Sequence, residues 1–101
     1  MVEFTKRVEI PVHVLVRELD GESVLLNLET EVYFGLDATG TRMLELASRA
    51  PSVEAAYQQL LEEFDVEPGQ LRTNMMELLG RLIENGLLRV VSSHVGSTPA
   101  V

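Results

Sequence analysis

At Asp37 the apolar pattern of this chain changes period, and that change limits the folds open to it. Before it the apolar residues alternate. Val8, Ile10, Val12, Val14 and Val16 share one parity, with Glu9, His13 and Arg17 on the other, and Val24, Leu26 and Leu28 repeat the spacing. Alternation with period two marks a half-buried strand. Beyond Asp37 the apolar residues recur at helical spacing as far as about Asn85. A run of strands followed by a run of helices in one short chain predicts an α+β domain.

Local signals divide the two halves. Pro11 cannot donate to a ladder, so the first strand is taken as Val12 to Glu18. Asp20-Gly21 is a hairpin signal, which makes Ser23 to Leu28 the second strand; Glu29-Thr30-Glu31 turns the chain into a third, Val32 to Leu36. In the other half Asp37 is placed to cap a helix running to about Arg49, with Met43, Leu44, Leu46 and Ala47 inward. Ser52 caps a second helix with Val53, Ala56, Tyr57, Leu60, Leu61 and Phe64 inward. Pro68 opens a third that ends near Asn85, where Gly86 supplies a left-handed cap. Residues 1–91 form the domain, with Leu87 to Val91 folding back onto it. Met1 to Arg7 reads as a partly mobile arm and 92–101 as a flexible tail.

Charge and composition narrow the function. Sixteen acidic against eight basic residues give a net charge of −8, which argues against nucleic acid, since its phosphates are met by Lys and Arg. The chain has no cysteine, so thiolate chemistry and Cys-ligated metals are excluded. No apolar run approaches the roughly 20 residues of a membrane span, and the N-terminus lacks the order of a signal peptide. The expected compartment is the cytoplasm, with no membrane partner. His13 and His94 have no metal-ligand spacing, the serines have no nucleophile elbow, and the glycines form no phosphate loop. No enzyme, cofactor or metal site is expected.

Two stretches admit a role beyond packing. A three-strand meander leaves its first and third strands at the edges. The first is guarded by Pro11, His13, Arg17 and Glu18, whereas Val32-Tyr33-Phe34-Gly35-Leu36 carries no charge and two aromatics. An unguarded edge invites another strand. On the third helix Leu71, Met75, Met76, Leu78, Leu79, Leu82 and Ile83 fill an arc of roughly 160°, wider than the ~100° stripe that one packing contact requires. The arc fits either a broad core contact with both other helices and the sheet, or a second role in which Met75, Met76 and Ile83, with Arg72 at the margin, form the wall of a groove.

Leu26-Asn27-Leu28-Glu29-Thr30, Tyr33-Phe34-Gly35-Leu36-Asp37-Ala38-Thr39-Gly40, Ser52 to Asp65, and Met75 to Leu88 ending Glu84-Asn85-Gly86-Leu87-Leu88 together resemble the PqqD-like proteins, the RiPP precursor peptide recognition elements. The likeness runs from about Val12 to Val90 and is greatest to the stand-alone B1-type proteins of lasso-peptide biosynthesis. It departs at Glu67, where the family often has an aspartate cap. The resemblance implies a winged helix-turn-helix-like fold, a three-stranded antiparallel sheet followed by three helices. It implies a non-catalytic adaptor that binds the leader of a ribosomally made precursor as a strand beside strand three and against helix three, and delivers it to a leader peptidase and a cyclase. Carried onto this chain, the peptide-binding residues are Glu31, Val32, Tyr33, Phe34 and Gly35 on the strand, and Arg72, Met75, Met76, Leu79 and Ile83 on the helix.

Two other readings fit the same inventory of elements. A winged-helix DNA-binding regulator needs a basic recognition helix, but helix three offers Arg72 and Arg81 against Glu77 and Glu84. A homodimer through paired strand-three edges would also account for the uncharged edge.

Overall fold

The computed structural model describes residues 3–91. The elements run β1 (Arg7–Glu9), β2 (Val14–Leu19), β3 (Glu22–Asn27), β4 (Tyr33–Leu36), α1 (Ala38–Arg49), α2 (Val53–Glu63), α3 (Pro68–Glu84) and β5 (Arg89–Val91). The expected strands one, two and three are β2, β3 and β4. They form one antiparallel sheet in the order β2-β3-β4, with β4 at an edge. This is the α+β fold that the change of period predicts.

Turn chemistry sets the sheet. Asp20 and Gly21 both have positive φ, 56° and 83°, as a two-residue turn matched to the twist of its strands requires. The second turn is built around Asn27, whose side-chain oxygen accepts from the Glu29 and Thr30 amides at 2.9 and 3.2 Å. Glu31 then adopts φ 66° and donates its amide to the Asn27 carbonyl at 2.7 Å.

Two details of the strands differ from expectation. The first strand begins at Val14, because Pro11 starts a turn closed by the Val14 amide on the Pro11 carbonyl at 3.0 Å, and Val12 is 99% exposed. On β3 the face turned to the core is Ser23, Leu25 and Asn27, not Val24 and Leu26. The two polar residues are buried because each has a partner. Ser23 and Thr41 of α1 share a hydroxyl bond of 2.7 Å, and Asn27 bonds to the end of α3.

The N-terminal arm, from Glu3 onward, is built into the domain. The Phe4 and Lys6 carbonyls accept from the Glu54 and Val53 amides at 2.7 and 2.8 Å, occupying donors that the first turn of α2 leaves free. Phe4 is buried edge-on against Tyr57, and the Arg72 guanidinium lies 4.1 Å from the Phe4 ring centre and 5.1 Å from that of Tyr57. The chain then enters β1, which pairs antiparallel with β5 in a small separate sheet. Leu87 to Val91 folds back as expected, whereas the expected mobile arm, from Glu3 onward, caps α2 and leads into β1 at Arg7. The expected tail, 92–101, lies outside the described residues.

The helices start where their caps predict. Asp37 accepts from the Gly40 amide at 2.8 Å, Ser52 from Ala55 at 3.1 Å, and Glu67 from Gln70 at 2.8 Å, so glutamate serves at the position where the family often has aspartate. Gly86 closes α3 with φ 70°. The core joins Val8, Leu25 and Leu36 to Leu44, Ala47, Val53, Leu60, Met75, Leu79, Leu82 and Leu87.

Candidate functional site

The open edge of β4 faces a trough. A hollow of about 470 Å³ is lined on one side by Phe34, Gly35, Leu36 and the start of α1, and on the other by Asn74, Glu77, Leu78 and Arg81 of α3. Its directions can be read from the Asn27 contact. Asn27 lies at the end of the β3–β4 hairpin and its amide donates to the Asn85 and Gly86 carbonyls, so the Tyr33 end of β4 lies toward the C-terminal end of α3. The strand and the helix therefore run in opposite senses along the trough.

Hydrogen-bond alternation identifies the free backbone. The Asn27 amide donates to the Val32 carbonyl at 2.8 Å, and antiparallel pairs alternate between bonded and non-bonded. Phe34 and Leu36 therefore point their backbone groups at β3, and Tyr33 and Gly35 point theirs outward. Side chains follow the parity expected of the strand: Leu36 is buried, Phe34 half-buried over the core, and Tyr33 73% exposed on the outer face. No Cβ built on Gly35 would meet an atom within 4 Å, so the strand there is open.

The residues named from the sequence fall into separate groups. Tyr33, Phe34 and Gly35 lie on the edge strand. Glu31 and Val32 lie in the turn before it; the Glu31 amide is taken by Asn27, and the Val32 amide donates to the Thr30 hydroxyl at 3.3 Å. On α3 the residues expected as the wall do not line this hollow. Met75 and Leu79 are wholly buried and belong to the core. Arg72 is turned to the N-terminal arm, where it also donates to Glu54 at 3.2 Å. Met76 and Ile83 flank the buried stripe on the side away from β4, since Met76 and Leu78 are roughly 160° apart around the helix and Ile83 and Leu78 roughly 140°. The residues facing β4 are Asn74, Glu77, Leu78 and Arg81. Of these the sequence singled out only Leu78, as part of the apolar arc; which flank of that arc meets the strand is decided by how α3 docks.

With this geometry in place, the model of one protein family matches residues 22–88, described as "Coenzyme PQQ synthesis protein D (PqqD)". The chain belongs to the PqqD family. The matched span of this PqqD-family chain runs from the first residue of β3 to the end of the core beyond α3, so it includes both walls of the trough. Among solved structures, the chain is similar to TbiB1 in complex with the TbiA(beta) leader peptide, at 29% identity and a TM-score of 0.70, over 90% of this chain and 99% of that one. A lasso peptide synthetase B1 complexed with the leader peptide shares the fold at 23% identity and a TM-score of 0.69, over 81% of this chain and 96% of that one. No curated protein matches.

Proposed function

We propose that this chain is a non-catalytic adaptor that captures the leader segment of a ribosomally made precursor, a lasso-peptide precursor in the first instance. The leader adds as a strand to the outward backbone of Tyr33 and Gly35, with alternate side chains set against Phe34 and Leu78. Main-chain bonds then supply affinity, and the trough supplies choice. One observation carries the reading: an uncharged edge strand stands open beside a trough in a chain whose fold matches two leader-peptide complexes. Delivery of the bound leader to a separate peptidase and cyclase in the cytoplasm follows from that role. The acidic flank of α3, Glu77 and Glu84 beside Arg81, favours this reading over duplex DNA. Among the described residues no helix is long and apolar enough to cross a membrane.

The test is calorimetric titration with the two halves, leader and core, of a candidate lasso-peptide precursor sought among short reading frames neighbouring this gene. The leader half binds and the core half does not. Equal binding of both halves, or of neither, would refute the assignment.

A further inference from the structure

The trough carries two charged side chains that the fold does not use. Glu77 and Arg81 stand one turn apart on α3, and both line the hollow facing β4 and a second hollow on the outer side of the helix, of about 470 Å³, opened at Gly80. Glutamate four residues before arginine is the favoured order for an intrahelical ion pair. That pair is not formed here, and neither side chain has an ion-pair or hydrogen-bond partner among the described residues. Arg42, Arg72 and Arg89 by contrast are each bound to a glutamate. Asp37, across from Glu77, spends one carboxylate oxygen on its helix cap and adds negative charge to the same end of the trough.

We infer that Glu77 and Arg81 read charge order in the bound leader, a basic side chain beside Glu77 and an acidic one beside Arg81, two positions apart in the strand. The spacing follows from the geometry of the two elements. Four helical residues advance about 6 Å. Two strand residues advance about 6.6 Å and return to the same face. A guest strand lying along β4 thus brings residues i and i+2 opposite Glu77 and Arg81 in turn. Apolar anchors on Phe34 and Leu78 hold the strand, and the charge pair sets its register. This inference rests on the leader-binding reading and deepens it.

The test is selection from a displayed library of random strand-length peptides on three proteins: wild type, Arg81→Glu and Glu77→Lys. Both substituted residues are exposed, and thermal melts of the variants check that they fold. Wild type enriches peptides with opposite charges two positions apart. Those peptides bind Arg81→Glu at least tenfold more weakly, and changing their acidic residue to lysine restores binding to that variant, which a merely structural role for Arg81 would not allow. If all three proteins enrich the same peptides with no charge preference, the charge reading is overturned while leader capture stands. If no enriched peptide loses binding on Phe34→Ala or Leu78→Glu, both fall.

Discussion

The side-chain amide of Asn27 donates to the carbonyl of Gly86 at 3.2 Å, joining the hairpin that sets β4 to the last turn of α3. The same side chain's oxygen builds the hairpin, so one buried residue fixes both walls of the trough. A Cβ on Gly86 would lie 2.7 Å from that amide, so the contact also requires glycine there.

Asn27→Ala removes bonds at a buried site and leaves the Gly86 carbonyl short of a donor. The expected cost is about 1–3 kcal/mol of stability, read from urea denaturation. Leader affinity falls as well, measured on the folded fraction, because β4 and α3 are no longer held together. A variant that loses stability with no change in affinity would show that Asn27 does not set the trough.

The two flanks of α3 are separable. Leu78→Glu weakens leader binding by tenfold or more, about 1.4 kcal/mol. Met76→Glu, on the flank turned away from β4, has a smaller effect. Fluorescence anisotropy with a labelled leader ranks them, and the reverse order would restore the wall of Arg72, Met75, Met76, Leu79 and Ile83 expected from the sequence.

Arg72 serves as a fastener for the N-terminal arm. Arg72→Ala gives up its place over Phe4 and Tyr57, a loss of about 0.5–2 kcal/mol. Denaturant midpoints fall while leader affinity stays within twofold. A large loss of affinity with unchanged stability would put Arg72 in the binding site instead.

Acid weakens the surface pairs with a definite sign. The Arg42 guanidinium donates to both Glu63 carboxylate oxygens, at 2.8 and 2.7 Å, and holds the Glu63 carboxyl below the usual glutamate range. A carboxylate whose folded value is lowered contributes stability above its unfolded value, near pH 4.3, and loses it as pH falls through the folded value. Glu9, held down chiefly by its bond from Arg89, and Glu54, held down chiefly by its bond from Gln58, have the same sign. Glu18 has the opposite one, raised by the neighbouring Glu45 carboxyl, while Glu45 is itself lowered. Melting temperature in wild type therefore drops on acidification below about pH 4.3, and Arg42→Met drops less over the same interval. Parallel curves would show that the Arg42–Glu63 pair contributes nothing.

What the sequence made legible was local. Asp20-Gly21, the caps Asp37 and Ser52, and Pro68 with Gly86 are each decided by backbone chemistry within a few residues, and each stands where expected. The β1–β5 sheet was not legible, because Arg7 to Glu9 is three residues long and its partner begins at Arg89, across the whole domain. Nor was the buried face of β3, where Ser23 and Asn27 defeat the apolar count by finding partners on α1 and α3. The edge strand itself was legible as a run without charge. Its facing wall was not, since an apolar arc does not say which of its flanks another element will leave open.

The central claim is that Tyr33 and Gly35 turn open backbone toward a guest strand. Amide hydrogen exchange on the protein with and without the precursor leader, followed residue by residue, tests it most directly. Strand addition predicts slowed exchange at whichever of the Tyr33 and Gly35 amides the leader accepts from, with little change at Phe34, whose amide already faces β3. Saturating leader that leaves both Tyr33 and Gly35 exchanging at their free rates would contradict it.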